Sequence, residues 1–174
     1  MRKVLLMSLM VCVAVLLGAY AQAQQPAALP AGVPEKMAFD IPYGPTITLE
    51  RARQLIAAAE AEAKKYDWKL AIAVVDPAGD LVAFSKMDGT MLASTVVSQG
   101  KARTAARYRR ETRVFFNAME TGHPYLATLD PTPVASPGGF PLVEGGKLIG
   151  AIGCSGAAGD QDAVACKVGA DLVK

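Results

Sequence analysis

The chain has 174 residues, enough for one domain of ordinary size. Its 18 basic and 16 acidic side chains leave a formal charge of +2, and Arg2 and Lys3 alone account for that surplus. A chain that is otherwise neutral gives no footing to a nucleic-acid partner or to electrostatic binding on an anionic membrane.

Arg2 and Lys3 are followed by an apolar run, Val4 to Leu17, and then by Ala19-Tyr20-Ala21-Gln22-Ala23. A basic start, a short apolar stretch and an A-x-A pattern read as a secretory signal peptide over 1–23, cut after Ala23. The apolar run falls short of the roughly 20 residues that a span needs, so no stable membrane span is expected after cleavage. Cys12 lies inside this run, outside any lipoprotein context. The expected location is periplasmic or secreted. Gln24 to Pro45 is rich in Pro, Ala and Gly and has no period, so 24–45 reads as a flexible N-terminal arm. Met37, Phe39, Ile41 and Tyr43 alternate within it, and they suit either a neighbouring subunit or the domain itself. Residues 46–174 read as a single domain.

Thr48 caps a helix, with Glu50 in its first turn where an anion complements the helix dipole. Leu49, Ala52, Ile56, Ala59, Ala63 and Tyr66 recur at spacings of three and four, which marks one helical face over about five turns. Trp68, the only tryptophan, follows and is expected to plug one end of the core. Leu70–Val75 and Leu81–Phe84 flank Asp76-Pro77-Ala78-Gly79-Asp80. Apolar residues fill both faces of the first run, as in a strand covered on two sides. Pro77 sets φ for a turn and Gly79 accepts a positive φ, so the stretch predicts a β-hairpin at the centre of the sheet.

Met91 to about Tyr108 reads as helix despite Gly100 in its interior, which costs on the order of 1 kcal/mol relative to Ala. Either tight packing or the approach of a backbone or ligand accounts for it. Lys101, Arg103, Arg107, Arg109, Arg110 and Arg113 crowd its end. Cations there complement the helix C-terminus, and arginine forks also suit an anion site for carboxylates or phosphates. Glu111-Thr112 interrupts the helix, and Val114 to Met119 predicts a further short one. Thr121 to Pro141 is rich in Gly and Pro and reads as loop. It contains His123, the only histidine, beside Tyr125 and near Met119. Each of the three can ligate iron. A lone loop histidine is also common as an ordinary hydrogen-bonding surface residue.

Phe140–Glu144, Gly145-Gly146 and Lys147–Cys154 predict a second hairpin with a Gly-Gly turn. Ser155-Gly156-Ala157-Ala158-Gly159 leads into a last helix from about Asp160. Backbone N–H groups at such a turn can hold an anion, although the Lys and Ser/Thr of a P-loop are missing. An exported compartment permits a disulfide between Cys154 and Cys166. Their expected places, a strand end and mid-helix, favour two buried free thiols. Their spacing offers no zinc or thioredoxin-like site. The order of elements predicts an α+β fold, with a mostly antiparallel central sheet of about five strands flanked by helices. The fifth strand is expected from Thr128–Ala135.

Four stretches, VVDPAGDLVAFSKMDG, ASTVVSQGKARTAARYRRET, GGFPLVEGGKLIGAIGCSG and GDQDAVACKVGADLV, occur in the order found in the GlcG/HbpS family, which includes the C-terminal domain of PduO-type proteins. The chain resembles that family from about Thr46 to Lys174. The resemblance implies a profilin-like α+β domain and a homo-oligomer, dimer-based and up to an octamer. Exported members are similar to extracellular haem-binding proteins that serve redox sensing. A CxxCH attachment motif is missing, so haem as a cofactor would be held non-covalently. With one histidine per chain, bis-His ligation within one subunit is ruled out.

The first expectation is therefore an exported, oligomeric haem-binding protein for storage, scavenging or sensing. His123 or Tyr125 would supply the axial ligand, with His123 the metal-binding candidate, and Lys101, Arg107 and Arg110 would pair with the propionates. The other readings are an enzyme, or an accessory to one, acting on a small carboxylate or corrinoid, and a ligand-free structural oligomer. The enzyme reading would draw on Asp76, Asp88, Lys101, Glu144 and Asp160. No nucleophile elbow or metal-ligand spacing accompanies them, and no catalytic residue is assigned.

Overall fold

A computed structural model describes residues 29–173. The signal-peptide reading of 1–23 and the first residues of the expected arm lie outside the described residues. Residues 29–37 belong to a separate unit, in which the Val33 N–H donates to the Pro30 carbonyl.

Within residues 38–173 the elements are α1 (Leu49–Lys65), β1 (Ala71–Val75), β2 (Leu81–Lys86), α2 (Ser94–Arg107), α3 (Arg113–Glu120), a 3₁₀ turn (Pro124–Thr128), β3 (Gly139–Glu144), β4 (Lys147–Ser155) and α4 (Gly159–Ala170). The four strands form one antiparallel sheet in the order β2-β1-β4-β3. The fold is α+β, as the alternation of hairpins and helices predicts.

Alternation along β1 sorts the core into two layers. Ile72 and Val74 face α1 and α4, with Ile152 and Cys154 of β4 beside them. Ala73 and Val75 face α2, with Ala151. The first layer holds the larger side chains, including Leu55, Ile56, Leu70 and Leu142. Each such Leu or Ile contributes about 1.5–3 kcal/mol when fully buried. The second layer is built from Ala102, Ala105 and Ala106 of α2. Small residues on both surfaces bring α2 close to the sheet. A Cβ at Gly153 would lie 2.2 Å from the Ser98 carbonyl oxygen.

Several expectations change. The sheet has four strands; Thr128–Ala135 leaves the 3₁₀ turn as a loop. Pro131 and Pro133 offer no N–H to a strand ladder. The first hairpin is only half central, since β1 lies inside the sheet and β2 lies at its edge. On α1, Leu55 joins the buried face, whereas Leu49 and Tyr66 at its two ends are exposed. Tyr66 instead stacks on the partly buried Trp68, with ring centroids 4.5 Å apart. Cys154 and Cys166 form a disulfide rather than two free thiols, with Cα atoms 5.6 Å apart. A strand end and a helix middle meet because α4 folds back over β4.

The end of the expected arm lies on the domain. The Gly44 N–H donates to the Leu148 carbonyl, and the Leu148 N–H donates to the Pro42 carbonyl. Ile41 accepts from Arg109 through its carbonyl, and Phe39 lies under Arg110.

Candidate functional site

Lys101 points inward. Its side chain is 1% exposed, and its Nζ donates to Asp162 Oδ2 at 2.8 Å. The other oxygen, Asp162 Oδ1, accepts the Ala157 N–H at 3.0 Å. The chain's own carboxylate thus occupies the Gly-rich turn before α4, where the sequence left room for an anion. Burial pushes the Lys101 pKa down and the Asp162 pKa up, and their mutual attraction opposes both shifts. Only one sign of Asp162 is legible in the sequence, which shows an acid in the first turn of a largely apolar helix. Its pairing with a residue 61 positions away leaves no such sign.

Arg107 and Arg110 follow different courses. Arg107 Nε donates to the Ala78 carbonyl of the β1–β2 turn at 2.8 Å. Tyr108 ends α2, and Arg109, with φ of 54°, swings the chain away from the helix axis. Arg110 then donates from Nε to the Tyr108 carbonyl, and its guanidinium lies 3.5 Å from the Phe39 ring centroid and 5.3 Å from that of Phe115. Such stacking holds a partly desolvated guanidinium in place. Burial lowers the Arg110 pKa and the Arg109 charge adds to this, while the Tyr108 and Tyr125 phenols oppose it.

His123 and Tyr125 lie together at the start of the 3₁₀ turn. The two rings meet edge to face, with centroids 6.2 Å apart. Both residues are exposed. His123 Nδ1 lies 3.3 Å from the Ala118 carbonyl oxygen and 3.4 Å from Thr121 Oγ1. In the tautomer that donates to Ala118, Nε2 carries the free lone pair, as an imidazole ligand requires. Phe116 and Met119, three residues apart on α3, add exposed apolar surface. The structure therefore pairs His123 with Tyr125, stacks Arg110 on Phe39 and Phe115, orients Arg107 on the β1–β2 turn and buries Lys101. Phe39 comes to Arg110 from the segment before α1, an approach that the sequence pattern does not encode.

Three carboxylates of the enzyme reading have separate partners. Asp76 Oδ1 accepts the Asp80 N–H within its own turn at 2.9 Å. Glu144 pairs with Arg51, and Asp160 pairs with Arg113. Among the described residues no three His, Cys, Asp or Glu side chains gather as a metal-holding group. Among them, too, no helix is long and apolar enough to cross a membrane.

Residues 47–171 match the HbpS-like family, described as "haem degrading protein HbpS-like". Protein GlcG of Escherichia coli K12 is 40% identical over 109 residues, covering 63% of this chain and 81% of GlcG. A double mutant of HbpS from Streptomyces reticuli superposes with a TM-score of 0.69 at 27% identity, covering 86% of this chain and 99% of HbpS. A PduOC–haem complex superposes with a TM-score of 0.69 at 24% identity, covering 74% of this chain and 96% of that one, and this likeness concerns the fold.

Proposed function

The chain belongs to the HbpS-like family, and on that premise we propose that it binds haem non-covalently, outside the cytoplasm, as a storage, scavenging or sensing protein. The observation that carries the reading is the meeting of the His123 and Tyr125 rings, edge to face on the surface. The donor set fits the group: an imidazole with a free Nε2, a phenol, a thioether at Met119 and a guanidinium suited to a carboxylate. Bound haem would supply a redox-active iron. His123 would offer it a nitrogen, with Ala118 fixing the ring through Nδ1. Arg110, held over Phe39, would meet a propionate.

Export is supported by the basic and apolar N-terminus together with the Cys154–Cys166 disulfide, since such bonds persist in oxidising compartments. Assembly of several copies is supported by exposed apolar side chains on α2 and α3, with Leu92 just before α2.

Haemin titration of the purified protein tests the reading. We expect a saturable Soret shift at a fixed ratio to chain. His123→Ala should alter the band or weaken binding, and Tyr125→Phe separates a phenolate ligand from a stacking ring. A folded protein that gives no saturable shift would exclude haem binding. A shift indifferent to both variants would exclude this site.

A further inference from the structure

Arg103 and Arg107 are one turn apart on the same face of α2. Each is oriented through Nε by a carbonyl of the β1–β2 turn, Gly79 for Arg103 at 3.3 Å and Ala78 for Arg107 at 2.8 Å. That leaves the paired Nη groups of both forks for something else. Among the described residues the arginine ion pairs are Arg51–Glu144 and Arg113–Asp160, and neither Arg103 nor Arg107 belongs to one. Among the described residues neither Asp76 nor Asp80 of that turn forms an ion pair with them, and Asp76 Oδ1 accepts the Asp80 N–H.

The two forks line a cavity of about 190 Å³ between α2 and the segment 131–134. The remaining polar side chains around it are engaged. Thr104 Oγ1 donates to the Gly100 carbonyl and accepts the Val134 N–H. The Tyr108 hydroxyl donates to the Pro131 carbonyl, and Thr132 Oγ1 donates to the Leu129 carbonyl. Gly100 makes the enclosure possible: a Cβ there would lie 2.6 Å from Val134 Cγ2, so only glycine lets Val134 close down on the helix. The mid-helix glycine thus accommodates a loop over a cavity.

From this geometry we infer that the Arg103–Arg107 shelf is a binding site for a small anion, a carboxylate or a phosphate, separate from the haem surface. The ligand must be an acceptor, because the uncommitted groups facing the cavity are N–H donors on fixed cations. It must also be small, because about 190 Å³ lies below the ~300–1,000 Å³ of pockets for drug-sized ligands. A tetrapyrrole does not fit in that space. Arg107 also borders an open cleft with Tyr43, Pro77 and Ala78.

Calorimetric titration of the haem-free protein at low ionic strength, with inorganic phosphate in one arm and malonate in the other, tests the inference and tells the two sources apart. Saturable binding is expected in at least one arm. Arg103→Gln and Arg107→Gln should each weaken it at least about ten-fold, with the unfolding midpoint little changed because both side chains are exposed. Gly100→Ala, which pushes Val134 outward, should weaken it as well. No saturable heat with either anion would overturn the site, as would affinities unchanged in both arginine variants. Stoichiometric displacement of the anion by haemin would also overturn it as a separate site and assign the forks to propionates. Failure of haem binding alone leaves this inference standing.

Discussion

Lys101 and Asp162 are 1% and 3% exposed, so each depends on the other for its charge. Removing one partner leaves a buried charge without compensation, which typically costs about 3–5 kcal/mol. Lys101→Met is expected to lower the urea-unfolding free energy by that order, and Lys101→Met with Asp162→Leu should recover most of the loss. If the double variant is as weak as the single one, the pair's role is packing rather than charge. The same pairing decides what the basic cluster at the end of α2 can do. Six cations look alike in sequence. In the fold Lys101 is internal, Arg113 is paired with Asp160, Arg109 holds the Ile41 carbonyl and Arg110 stacks on Phe39. Arg103 and Arg107 keep forks to spare.

At the scale of elements, the contact between α2 and β4 is backbone against backbone. The hypothetical Gly153 Cβ would meet the Ser98 carbonyl oxygen at 2.2 Å and the Ala102 nitrogen at 2.5 Å, atoms that cannot rotate away. Gly153→Ala is therefore expected to destabilise at or beyond the upper end of the ~1–3 kcal/mol seen for overpacked cores. Thermal unfolding of the variant measures it, and a midpoint close to that of the parent would mean that α2 shifts freely over the sheet. On the opposite face α4 is fastened twice from the same side, through Asp162 and, one turn on, through Cys166. These anchors hold the helix despite its weak amphipathic pattern, which on its own would specify its orientation poorly.

For the whole molecule, α2 and α3 each carry exposed apolar side chains. Leu92, just before α2, is 84% exposed and Val96, in its first turn, 73%, and Phe116 and Met119 are exposed on α3. If copies assemble through these surfaces, Leu92→Glu or Phe116→Glu should lower the mass in solution measured by light scattering. A mass unchanged in both variants would place the contact elsewhere, and a monomeric parent would end the oligomer proposal.

Local pattern was sufficient for most of the elements, although it also suggested a fifth strand over Thr128–Ala135 that does not form. The period of α1, the two-sided apolar run of β1 and the Gly-Gly turn between β3 and β4 each arise from neighbours in the chain, so the α+β class could be read from residues alone. A resemblance spread over four stretches carried the family. What the tertiary structure alone decided are relations between distant positions: the edge placement of β2, the bond between Cys154 and Cys166, the burial of Lys101 against Asp162, and the seating of Val134 on Gly100. Periodicity reports which face of an element is apolar. It does not report which other element that face meets, and both the ion pair and the arginine shelf exist only through such meetings.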